Sequence, residues 1–196
     1  KGFGSLPFGP NSVGGTINFL TMPIPQNREA RFKLTGGSFN TALMKGSLGG
    51  PLGNSAFLIE AARMQTDGFK KLPSGAKTGF EQNQVLLKWM LKLPSSEGLE
   101  HNVRVHLGYG DERSSETYLG LAPADFYKDP YNRMAGSEKD QMKWAHGKVQ
   151  LHHQIQISPT LMVQSAIYQQ TFHRAWYRLD GMRDTSVSLR AIVGDT

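Results

Sequence analysis

Apolar and polar residues alternate along most of this chain, and the alternation predicts β-strands. Val85, Leu87, Trp89, Leu91 and Leu93 alternate with Leu86, Lys88, Met90 and Lys92. Leu99, Val103, Val105, Leu107 and Tyr109 are interleaved with Glu100, Asn102, Arg104 and His106. Ala145, Gly147, Val149, Leu151, Ile155 and Ile157 are interleaved with Trp144, His146, Lys148, Gln150, His152, Gln154 and Gln156. A period of two puts each pair of sets on opposite faces of a strand. Four further segments follow the pattern less strictly. Ala30, Phe32 and Leu34 are separated by Arg31 and Lys33, with Thr35 after them; Ala42, Met44 and Leu48 are interleaved with Lys45 and Ser47. Phe57, Ile59 and Ala61 form an apolar set within 55–65, and Leu161, Val163 and Ile167 oppose Gln164, Tyr168 and Gln170. About seven strands and an all-β fold class follow.

The connections sort by length. Residues 36–40 supply a tight connection, and 49–54, 93–98 and 157–160 are short turns. Residues 67–78 form a longer loop and 111–138 a much longer one. Short turns at one end and long loops at the other are the pattern of outer-membrane barrels, whose strands cross a bilayer with about ten residues when tilted. A soluble antiparallel sandwich also alternates, but its strands need only about five or six residues. The three best-patterned strands are longer, and Lys88, Arg104, Lys148 and Gln150 on their polar faces suit a wet interior. The pattern therefore predicts an antiparallel transmembrane β-barrel segment, with the sandwich as the alternative. Ahead of the strands, residues 1–26 are rich in glycine, proline and asparagine around one apolar run, Thr16 to Leu20. Pro23 and Pro25 interrupt regular structure there, so the chain divides into 1–26 and 27–196.

Composition narrows the chemistry. No run of about 18 apolar residues occurs, so no transmembrane helix is expected. The chain opens Lys-Gly-Phe-Gly without an apolar leader, so an exported protein is expected to begin upstream of Lys1. The absence of cysteine rules out disulfides and thiolate metal sites. A net charge of +6 fits nucleic acid, an anionic membrane surface or an anionic ligand. Basic and aromatic residues do not cluster in one stretch, which weighs against nucleic acid. His146 and His152 share a face but stand roughly 20 Å apart by strand rise, and His152 and His153 point to opposite faces. Hydrogen bonding on the polar face accounts for His106, His146 and His152 without a metal. No nucleophile-base-orienter set and no phosphate loop are present, so neither an enzyme nor a cofactor is expected.

The segment Phe8-Gly9-Pro10-Asn11-Ser12-Val13-Gly14-Gly15-Thr16-Ile17-Asn18-Phe19-Leu20-Thr21 resembles the end of the plug domain of TonB-dependent outer-membrane receptors. Pro23-Ile24-Pro25 is similar to the ferric-citrate-type branch of that family, as are the segments 115–121 and 172–177. In the resemblance Gly9, Pro10, Gly14, Gly15 and Asn18 are structural, the paired glycines permitting close backbone packing. It implies a barrel of about 22 strands filled by an N-terminal plug, in the outer membrane of a Gram-negative bacterium. The chain would supply the last plug strand (1–26) and about seven wall strands (27–196). So few strands cannot close, and an open edge in lipid leaves backbone groups unpaired; a fragment of a longer receptor is therefore expected. By the same resemblance the full protein imports a scarce nutrient, a ferric chelate of siderophore or citrate type. Its partners would be that chelate, outer-membrane lipid, and the TonB complex reached through a more N-terminal part. A structural or adhesive barrel that binds a partner through its loops is the alternative.

The long loop is the expected recognition element. Arg113, Tyr118, Tyr131 and Arg133 are its candidate ligand-binding residues, with Asp125 and Tyr127 nearby, because arginine and tyrosine can hold an anionic chelate by charge and hydrogen bonds. Ordinary packing on neighbouring loops is the competing reading for each. Arg174, Trp176 and Tyr177 are expected at the outer end of the seventh strand, the two aromatics in an interfacial belt.

Overall fold

A computed structural model describes residues 20–94 and 99–179. The Gly9, Pro10, Gly14, Gly15 and Asn18 motif lies outside these residues. The chain is all-β: β1 (Glu29–Gly37), β2 (Thr41–Leu52), β3 (Ser55–Thr66), β4 (Phe80–Leu93), β5 (Glu100–Ser114), β6 (Gln141–Ser158) and β7 (Leu161–Tyr177). They form one seven-stranded antiparallel sheet in sequence order. The sheet is open, with β1 and β7 at its edges. The only α-helix among the described residues, α1 (Pro123–Lys128), lies in the long loop between β5 and β6. No helix among them is long and apolar enough to cross a membrane.

All seven expected strands are present, but several run further than periodicity suggested. β2 continues through Gly49, Gly50 and Pro51 to Leu52, which corrects the turn expected over 49–54 to Gly53 and Asn54 alone. Pairing with β1 ends at Gly49, and the Pro51 carbonyl accepts from Arg28 Nε at 3.2 Å on that side. The missing proline N–H therefore removes no ladder bond. β5 likewise continues to Ser114, pairing Asp111, Glu112 and Arg113 with Ala145, Trp144 and Lys143. The charged run looked like loop because charge at a strand tip and charge in a loop are alike in sequence.

The register aligns one apolar face across the sheet. Phe32 pairs with Gly46, and Leu48 with Ile59; Ile59 in turn pairs with Leu87 and Leu87 with Leu107. Leu107 pairs with Val149, and the neighbouring row ends in Leu151 and Ile167. Toward the long-loop end this face turns polar. Arg63 Nη2 and Glu81 Oε2 form an ion pair at 3.1 Å, and Asn83 Nδ2 donates to Asp111 Oδ1 at 2.9 Å. Phe32, Ile59, Val85, Trp89, Leu107, Val149 and Ile167 are all exposed on it.

The opposite face is polar and is crossed by the segment before β1. Lys88, nearly buried, donates its Nζ to the carbonyls of Met22 at 2.6 Å and Thr21 at 3.3 Å. Arg31 Nη1 reaches Met22 Sδ at 3.7 Å. Beneath this strap lie Ala56 and the fully buried Leu58. Strand β3 alternates poorly for this reason: its polar-side positions are apolar where the strap covers them. Burying a leucine side chain contributes about 1.5–3 kcal/mol. Gly50, at φ 141, has Arg28 Cα only 2.6 Å from the place a Cβ would occupy, so the strap enters at a point only glycine tolerates.

Candidate functional site

The longer connections, 67–79 and 115–140, lie at the same end of the sheet and are joined to one another. Lys71 N donates to Tyr131 O at 2.7 Å, and Arg133 N donates to Lys71 O at 2.9 Å. Lys70 Nζ donates to Pro130 O at 2.6 Å. The Phe69 and Tyr131 rings meet edge to face at 6.3 Å, and Lys71 Nζ sits 5.9 Å from the Tyr131 ring centre. Leu72 is buried beneath these contacts.

Two buried charges organise the longer loop. Arg133 Nε donates to Ser137 Oγ at 2.8 Å and Nη2 to Ser137 O at 2.8 Å, while Nη1 donates to Ser115 O. Burial pulls the guanidinium's pKa down from its ordinary value, opposed by the Asp140 carboxylate; arginine stays charged regardless. Asp140 accepts from Thr117 Oγ1 at 2.7 Å through one oxygen and from Leu179 N at 2.8 Å through the other. These contacts tie both ends of the loop to the end of β7.

The expected ligand residues separate into different environments. Arg113 is not in the loop: it lies on β5, on the apolar face, opposite Glu81 and Lys143. Its strand position follows from the extended β5 ladder. Arg133 is only 5% exposed and spends its donors on the loop itself. Tyr131 is exposed and holds the joint between loops. Tyr118 lies against Trp176, with ring centres 4.6 Å apart.

That last contact belongs to a cluster the sequence did not single out. Arg178 places its guanidinium 4.6 Å from the Tyr118 ring centre and 5.3 Å from that of Trp176. Arg174 lies 5.7 Å from the Trp176 ring. Further along the polar face Phe172 stacks on Trp144 at 6.4 Å and meets His146 at 6.3 Å. Trp176 therefore lies on the polar face, under the loop. Tyr177, one residue on, falls on the apolar side and is exposed. A cleft of about 300 Å³ opens beside the cluster, between the loop and the end of β7, lined by Lys139, Asp140, Tyr177 and Arg178 among others. Two guanidinium groups over two aromatic rings combine cation–π attraction with donors for anionic oxygens. Alternation exposed the strand but not this convergence, because Tyr118 and Trp176 are far apart in sequence.

Four of the six histidines form cross-strand pairs: His106 and His152 on the polar face, at 5.5 Å between rings, and His101 and His153 on the other, with Nδ1 and Nε2 3.3 Å apart. His152 and His153 thus do point to opposite faces. Among the described residues no group of three or more His, Cys, Asp or Glu side chains is placed to hold a metal. Comparison with protein-family models, with curated proteins and with solved structures gives no match.

Proposed function

We propose that the chain is part of the wall of an outer-membrane receptor of the TonB-dependent type, which imports a scarce nutrient, a ferric chelate, through its lumen. One observation carries the reading: seven consecutive antiparallel strands present a continuous apolar face, while the segment ahead of β1 crosses the polar one. An apolar face exposed on this scale calls for a cover, and lipid covers a strand-built wall whose other face is wet. Both sheet edges leave backbone groups to be paired by further strands, as closure in a membrane requires. The strap held by Lys88 occupies the place of a plug exit on the luminal side. The Tyr118, Trp176, Arg174 and Arg178 cluster then lies at the outer mouth of the lumen, where an anionic chelate arrives.

Uptake of radiolabelled ferric citrate and ferric hydroxamates, in cells with and without the full-length gene, tests the reading. Loss of uptake of at least one chelate on deletion is expected, with recovery on complementation. Equal uptake of every chelate in both strains, alongside normal insertion of the protein, would favour a structural or adhesive barrel.

A further inference from the structure

We propose that the apolar face carries a site for one phosphate-bearing membrane lipid, its phosphate between Arg113 and Lys143 and an acyl chain in the groove over Gly147. The proposal rests on the reading of this face as the lipid-facing one. Arg113 on β5 and Lys143 on β6 are direct cross-strand partners, and both are exposed. Like charges placed directly opposite one another destabilise a sheet. Among the described residues neither cation makes a hydrogen bond or ion pair. The acids nearby are engaged elsewhere: Glu81, across from Arg113, pairs with Arg63 at 3.1 Å, and Asp111 accepts from Asn83 at 2.9 Å. An anion between the cations would remove their repulsion, and phosphate suits the forked donors of arginine.

A second, independent feature lies on the same face. Gly147 stands between Tyr109 and Thr171 in the register, and its missing side chain leaves a groove of about 420 Å³. Val85, Leu107, Tyr109, Val149 and Thr171 line it. The groove is open along the sheet face, with room for one chain lying in it. Tyr109 and Gly147 each lie four positions along their strands from Arg113 and Lys143, roughly 13 Å by strand rise. The cations lie toward the long-loop end and the groove toward the middle of the apolar band, the order in which a lipid presents its headgroup and its chain. A soluble phosphate would satisfy the cations but leave the groove empty; the combination selects a lipid.

Native mass spectrometry of the full-length protein in detergent, titrated with phosphatidylglycerol, tests this. The wild type is expected to retain phosphatidylglycerol better than phosphatidylcholine and to ignore glycerol phosphate at the same concentrations. Arg113→Gln with Lys143→Gln should weaken retention about tenfold, the scale of one lost charge-assisted hydrogen bond. Gly147→Leu with Thr171→Ala fills the groove, and the alanine relieves the 2.8 Å approach to the Thr171 hydroxyl; it should weaken retention too. Variants are compared only after heat-modifiable migration shows a folded barrel. Wild-type retention by both folded variants, or equal competition by glycerol phosphate, would overturn the site. A wild type that stays monodisperse without detergent would instead overturn the membrane reading beneath it.

Discussion

Arg133 shows how far residue type alone can be trusted. Arginine in a long loop invites a ligand-binding role, yet this one is buried and bonded to Ser137 and the Ser115 carbonyl. Arg133→Ala should leave those acceptors unpaired and destabilise the loop by about 1–3 kcal/mol. Arg133→Lys should recover little, since an ammonium cannot reproduce the planar fork. Hydrogen exchange at Ser137 and Glu138 measures both, and unchanged protection in the alanine variant would contradict the anchoring role. Asp67 and Lys77 make a weaker, exposed contact at 2.8 Å. The Lys77 hydrogen bond chiefly holds the Asp67 carboxyl below its ordinary value, and Asp67 holds the Lys77 ammonium above its own. The Asp67 contribution is complete above the ordinary carboxylate value of 3.8 and fades as pH falls through the lowered folded value. The Lys77 contribution is complete below 10.5 and fades as pH rises through its raised value. A carboxyl carbon-13 titration of Asp67 should move to a higher midpoint in the Lys77→Ala protein; an unmoved midpoint would rule out the pairing. Among the four sequence candidates only Tyr118 joins the aromatic-cationic cluster. The distinction between Arg133 and Arg178 depends on which way the loop turns, and no local pattern encodes that.

Strands were legible as elements, though not to their ends, where alternation had nothing to compete with it. Strands β4 to β6 read clearly because apolar residues at odd positions meet long polar ones at even positions. Strand β3 read poorly because Leu58 and Ala56 answer to the strap rather than to the sheet period. The strap itself depends on Lys88. Lys88→Met keeps the aliphatic stem but removes both bonds to the Thr21 and Met22 carbonyls. Nitrogen-15 relaxation should show increased fast motion at Thr21, Met22 and Ile24 while β4 keeps its exchange protection; unchanged relaxation in the variant would show that Pro25 packing against Gly49 suffices. The β1–β2 turn is a second local expectation. Phe39 and Asn40 sit at φ 60 and 53, and Thr41 N donates to Ser38 O at 3.2 Å. Positive φ at both central residues is the hairpin turn that favours glycine and asparagine, and a phenylalanine there is strained. Phe39→Gly should therefore stabilise the hairpin by about 0.5–1 kcal/mol, read as a higher unfolding midpoint.

At the scale of the molecule, the two faces distinguish a membrane wall from a sandwich, and they do so by what touches them. In a sandwich the apolar face of β4 would be closed to every outside probe, because a second sheet would cover it. In a wall the same residues would meet lipid, and a diffusible apolar probe would reach them. The chain contains no cysteine, so single cysteines introduced along β4 of the full-length protein can carry nitroxide labels without removing native thiols from this stretch. Positions 85, 87, 89 and 91 belong to the apolar face and 86, 88, 90 and 92 to the polar one. In reconstituted bilayers, oxygen accessibility should exceed that of a soluble nickel chelate at the odd positions, with the contrast greatest near the middle of the run. The even positions should lack this contrast, and 88 should be closed to both probes because the strap covers it. A period of two in the ratio of accessibilities requires one face in lipid. Odd positions sealed against oxygen as well as nickel would mean that protein covers the apolar face, and the sandwich would replace the wall.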